Sequence, residues 1–133
     1  MPAKMQEPSN SKRKTLPDLT REQFLAADDR KPQRAEVPAL GGAVYIRVMC
    51  GTERAKWESE AAAKGRGGSD EYVEVLASLL ARVVSDAAGN RLFSDEDIPD
   101  LMEKASTTLL SLALKAKRVN ALSDEDIDAL AKN

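Results

Sequence analysis

The 133 residues include no histidine, one cysteine (Cys50) and 20 Lys+Arg against 22 Asp+Glu, a net charge of -2, which excludes imidazole catalysis and an internal disulfide, fits a reducing cytoplasm and gives no general attraction to nucleic acid. Aromatic residues make up 4%, so the core of what the length predicts to be one domain must come from Leu, Val, Ile and Ala, which favours packed helices. No apolar run approaches the roughly 18 residues of a membrane helix, and the opening MPAKMQEPSNSKRK lacks the apolar region of a secretory signal.

Residues 1–18 are expected to form a disordered basic arm, since Pro2, Pro8 and Ser9 to Ser11 precede Lys12, Arg13 and Lys14 with no apolar periodicity. The arm reads as a solubilising tail or as a contact for phosphate or an acidic partner. Order is expected from residue 19 to residue 133. Thr20 followed three positions later by Gln23 is a capping-box pattern, opening a short helix with Phe24 and Leu25 on its apolar side and an end near Asp28 and Asp29.

The period then changes. AEVPALGGAVYIRVM alternates about Gly41 and Gly42, placing Val44, Ile46 and Val48 on one face and Tyr45, Arg47 and Met49 on the other. This predicts a hairpin at about residues 34–49, with Pro38 marking its first strand as an edge. Thr52 is the predicted N-cap of a helix that runs through AKWESEAAAK to the breaker Gly65 to Gly68. Trp57, the only tryptophan, either anchors the core against the hairpin or contacts a partner.

Ser69 is expected to cap the strongest helix, in which Tyr72, Val73, Leu76, Leu79, Leu80, Val83 and Val84 recur at helical spacing. This should be the spine of the fold. DAAGNRLF is a turn, after which Ser94 caps a short acidic helix bearing Ile98, Leu101 and Met102, with Pro99 tolerated in its first turns. A helix over residues 103–120 carries Leu109, Leu112, Ala113, Ala116 and Val119 in one stripe, with Leu110 and Leu114 to one side. That arc is wider than one core contact needs, which predicts that Leu110 and Leu114 meet another chain. FSDEDIPDL from Phe93 returns as LSDEDIDAL from Leu122, two capped helix starts with an apolar residue ahead of the serine. The fold class is therefore mainly α with a small β-hairpin, a compact helical domain behind a disordered arm.

Site chemistry is sparse. Laid over a calcium-binding EF-hand loop, residues 86–97 put Asp86, Asn90, Ser94 and Asp97 at ligand positions, but Ala88 falls where an oxygen is needed and Arg91 where the turn needs glycine. Gly65 to Gly68 lacks the strand and the GK[ST] ending of a phosphate loop. No catalytic residue, metal or cofactor is assigned.

Taken in order, LTREQFLAADD (19–29), EVPALGGAVYIRVMCGTERAKWE (36–58), LFSDEDIPDLMEKAS (92–106) and KRVNALSDEDIDALAKN (117–133) resemble the tail assembly chaperones of long-tailed bacteriophages and prophages. The likeness covers about residues 19–133 and rests on the order and spacing of capping and turn signals. The sequence departs from that pattern at Ala39-Leu40, where an acidic residue and tryptophan are usual before Gly-Gly, and at Met49-Cys50, where Leu-Thr is usual. The resemblance implies a non-enzymatic protein of the host bacterial cytoplasm, absent from the finished virion. Its partners would be the tape measure protein, whose apolar helices it keeps soluble, and tail tube subunits; self-association is left open. Trp57, Leu110 and Leu114 are the expected partner-binding residues. Such chaperones are commonly made in two lengths by a backward ribosomal slip, and Ala131-Lys132-Asn133 can be encoded as GCA AAA AAC, which contains a slippery run. The alternative is a small nucleic-acid-binding or regulatory adaptor acting through Lys12, Arg13 and Lys14; a degenerate calcium module is a third.

Overall fold

The computed structural model describes residues 15–64 and 71–132, so Lys12 to Lys14, the Gly65 to Gly68 breaker and the Ser69 cap lie outside the described residues. The first element is α1, Arg21–Ala26, and its capping box is formed: Gln23 N–H donates to Thr20 Oγ1 at 3.1 Å and Thr20 N–H donates to Gln23 Oε1 at 3.0 Å. The helix ends two residues earlier than expected. It buries none of its residues, and Phe24 and Leu25 are 67% and 64% exposed.

The hairpin forms from β1, Gln33–Val37, and β2, Gly42–Ile46, paired antiparallel with Ala35 opposite Val44. Pro38–Leu40 is a 3-10 turn, and Gly41 closes it at φ 71°, in the left-handed region that suits glycine, donating its N–H to the Pro38 carbonyl. β1 lies at the sheet edge, as Pro38 implied. Ala35 and Val37 are buried while Arg34 and Glu36 face solvent, the alternation of a one-sided sheet. The alternation expected to continue through Met49 stops at Ile46. Beyond it the chain bends inward, so Met49 is buried beside Ile46 in the core instead of lying on the opposite face.

α2, Gly51–Lys64, starts at Gly51 and not after a Thr52 cap; Arg54 N–H already bonds the Cys50 carbonyl at 2.9 Å. α3, Glu71–Val83, is the spine: every residue from Val75 to Val83 is buried, wider than the predicted stripe. It is wrapped by α2, by α4 (Ile98–Met102), by α5 (Ser106–Val119) and by α6 (Asp124–Lys132). Where α4 crosses, the small side chains of Ala77 and Ala81 pack with Ile98.

Two features differ from the sequence reading. Val84 and Ser85 form a short strand, β3, that adds to β2 through Tyr45 opposite Ser85 and Ile46 opposite Val84, so the sheet has three strands in the order β1-β2-β3. Val84 fits the helical stripe by spacing, but the sheet captures it. The helix expected from residue 103 instead begins at Ser106, because α4 ends at Met102 and residues 103–105 turn the chain.

The final start is built as expected. Ser123 N–H donates to Asp126 Oδ2 at 2.9 Å and Asp126 N–H to Ser123 Oγ at 3.0 Å, while Leu122 and Ile127 staple the end of the chain to the core. The fold is mainly α with a small antiparallel sheet.

Candidate functional site

Among the described residues an apolar concavity, a cleft of about 390 Å3, lies between the sheet and the α3-α4-α5 layer. Its floor comes from Leu80 of α3 and Val84 of β3. One wall is Val37, Leu40 and Val44 of the hairpin, and the other is Phe93, Leu101, Leu109 and Leu112. Asp97, Asp100, Lys104 and Thr108 supply its polar atoms.

The local sequence explains why the cleft is open. The 3-10 turn lifts Leu40 off the sheet, leaving it 59% exposed at the lip. The break at residues 103–105 separates α4 from α5, so Leu101 and Leu112 flank the gap without filling it. An apolar concavity with few polar groups at its margin is the general form of a binding groove.

Trp57, read above as either core or partner contact, is 1% exposed and donates its indole N–H to Ser78 Oγ at 3.0 Å, which in turn donates to the Val75 carbonyl at 2.7 Å. It is an interior anchor and cannot meet a partner in this fold, a correction to its place among the contact residues. Leu110 and Leu114 are 50% and 57% exposed. At about 100° per residue, they stand on the flank of α5 opposite Leu112. The expected site residues are therefore not brought together: one is core, and two lie across α5 from the cleft. The cleft itself was missed because its wall residues come from four separate elements. The only sequence signal was Leu40, a large apolar residue beside a predicted turn.

The carboxylates do local structural work. Asp86 accepts the N–H groups of Ala88 and Asn90, each at 2.9 Å, and the Asn90 backbone bond above all holds its carboxyl below the usual 3.8. Asp97 is turned back to the Ser94 N–H at 2.9 Å. The residues laid over a calcium loop are thus spent on closing a turn and opening a helix. The Ser123 backbone N–H likewise lowers Asp126. Among the described residues no cluster of three or more Asp, Glu, Cys or His side chains is arranged to hold a metal ion.

The partly buried ion pairs are also structural. Arg47 forks onto Glu53 at 2.6 and 2.7 Å, and donates to the Arg82 carbonyl, tying the hairpin exit to α2 and α3. Arg82 pairs with Glu60 at 2.9 Å beside a void of only about 10 Å3, room for one water at most.

Among the described residues no helix is long and apolar enough to cross a membrane. In comparisons with protein families, curated proteins and solved structures, nothing matches this chain.

Proposed function

We propose that the protein is a non-catalytic tail assembly chaperone, acting in the host bacterial cytoplasm and left out of the virion, that holds an apolar helix of the tape measure protein and helps recruit tail tube subunits around it. The cleft between the hairpin and α5 carries this reading. Its walls are aliphatic apart from Phe93, the kind of lining that receives the apolar face of a helix. The order of the four sequence segments that resemble such chaperones supports the client's identity. Leu110 and Leu114 on the other flank of α5 supply a second apolar contact for a client longer than one helix.

Co-expression with a tape measure protein of a long-tailed phage is the test. The wild-type chain should keep the client in the supernatant and co-purify with it. Leu40→Asp, at a lip residue exposed enough to leave folding intact, should abolish capture. A client that stays insoluble beside the wild-type chain sinks the chaperone reading; full capture by Leu40→Asp moves the contact away from the cleft. Salt-dependent DNA binding at a strength comparable to client capture would favour the adaptor reading instead.

A further inference from the structure

Two apolar surfaces on this molecule are each missing a counterpart. One is the cleft; the other is the segment around α1, where Leu16, Leu19, Phe24 and Leu25 are 83%, 61%, 67% and 64% exposed. An isolated six-residue helix carrying such a face has no intrinsic reason to persist in water, yet α1 is finished with a complete capping box. We propose that α1 is an exchange element: in a closed dimer of this chain, the α1 segment of each copy fills the cleft of the other.

Three observations favour a second copy as the occupant. The first is charge. Arg21 lies three and four residues before Phe24 and Leu25, on the same helix face. Seating those two side chains in the cleft brings its guanidinium to a rim on which Asp97 and Asp100 outnumber Lys104. The pairing Arg21 has within its own chain, 3.6 Å from Glu22 with both side chains more than three-quarters exposed, is weak enough to give up.

The second is the tether. Residues 27–32 leave β1 at Gln33, the end remote from Val37 and Leu40, where Pro32 lies against Gly89. To reach its own cleft the segment must peel away from that contact and double back along the edge strand, about 14 Å at strand rise. Another copy's cleft requires no such rearrangement.

The third is area. Four large apolar side chains each hide on the order of 100 Å2 on burial and the cleft that receives them offers less than half of their total, so two reciprocal exchanges conceal about 1,100 Å2, the size of a specific but weak, concentration-dependent interface. A twofold arrangement uses both helices and both clefts and closes on itself.

The inference shares with the proposed function only the premise that the cleft accepts an apolar helix, and it makes α1 a competitor of the client. The full chain, measured by sedimentation equilibrium over micromolar to millimolar concentration, should be a dimer. Phe24→Asp/Leu25→Asp, at two exposed positions, should be monomeric with an unchanged circular dichroism spectrum, as should Leu40→Asp. Mixing these two monomers should give a 1:1 heterodimer weaker than the wild-type dimer, since one retains the cleft and the other the helix and only one of the two exchanges can form. Phe24→Cys/Leu40→Cys in a Cys50→Ser background should form intermolecular disulfides on mild oxidation. A wild-type chain that stays monomeric throughout, an intramolecular disulfide, or a dimer that survives Phe24→Asp/Leu25→Asp would each overturn the exchange. Client capture separates the two ideas: the helix variant should capture a client at least as well as wild type, and losing the dimer without any client capture would fail the chaperone reading alone.

Discussion

The side-chain oxygen of Asn120 accepts the backbone N–H of Met49 at 2.8 Å, joining the end of α5 to the hairpin exit across 71 residues of sequence. The amide nitrogen of the same side chain donates to the Arg47 carbonyl at 3.0 Å and to the Ala116 carbonyl at 3.1 Å, and Arg54 Nη1 covers the Asn120 carbonyl at 2.9 Å. Asn120 is 6% exposed, so water is poorly placed to replace these partners. Asn120→Ala strands the Met49 N–H and the Arg47 carbonyl, while the Ala116 carbonyl keeps the backbone N–H of residue 120 at 3.0 Å, and with each orphaned group costing about 1–3 kcal/mol, the expected loss is about 3 kcal/mol. Urea denaturation with an unchanged m-value checks it; a loss under about 0.5 kcal/mol, the size of an ordinary surface substitution, would show that the network is not holding the two elements together.

The residue after it offers the opposite effect. Ala121 sits at φ 53° and closes α5 in a Schellman motif, its N–H bonding the Arg118 carbonyl at 3.3 Å while the Leu122 N–H reaches the Lys117 carbonyl at 2.8 Å. A Cβ in that region costs roughly 1–2 kcal/mol, of which glycine returns part in unfolded-state entropy. Ala121→Gly should therefore stabilise the chain by about 0.5–1 kcal/mol, read as a melting temperature raised by roughly 2–5 °C. A lower melting temperature would mean that the methyl group's contacts outweigh the strain.

Acid should loosen the protein through its capped carboxylates. Asp86 and Asp126 are held below 3.8 when folded, chiefly by the backbone N–H groups of Asn90 and Ser123. A depressed folded pKa contributes stability that is fully present above the unfolded value and is lost as pH falls through the folded one. Thermal scans from about pH 6 down to about pH 2.5 should show the melting temperature falling mainly below about pH 4, near the ordinary carboxylate range. Asp126→Asn retains an acceptor but cannot titrate, so its curve should fall less steeply. Parallel curves for the two proteins would remove Asp126 from the account.

Local signals carried much of the fold. Thr20 with Gln23 and Ser123 with Asp126 cap their helices as their spacing implied, because such a cap depends on four consecutive residues and their own backbone. The spine was legible from the helical spacing of Leu76, Leu79, Leu80 and Val83, but the burial of the residues between them comes from helices packed on its other sides. What was hidden depends on distant partners. Val84 continues the helical stripe by spacing, but Ile46 offers it a strand ladder that only the folded hairpin creates. Met49 leaves the alternation of β2 because Asn120 holds its N–H from the far end of the chain. The cleft is less legible still: Leu40 and Leu112 belong to different periodic segments, and only the break before Ser106 leaves a gap between them.

That gap gives α5 two apolar flanks with different consequences. Leu112 faces the cleft, whereas Leu110 and Leu114 stand on the opposite side at half exposure or more. Replacing the exposed pair removes little that the fold buries, so Leu110→Asp/Leu114→Asp should melt within about 2–3 °C of wild type, as expected for surface positions. If a client spans both flanks, this double variant should weaken capture roughly tenfold, equivalent to about 1.4 kcal/mol. Combined with Leu112→Ala, which trims the cleft wall without adding charge, the losses should add within about 0.5 kcal/mol because the flanks share no partner. Titration of a tape measure fragment against the three variants measures this. Unaltered capture by the double variant confines the client to the cleft, and a collapse of its melting temperature would place Leu110 and Leu114 in the core.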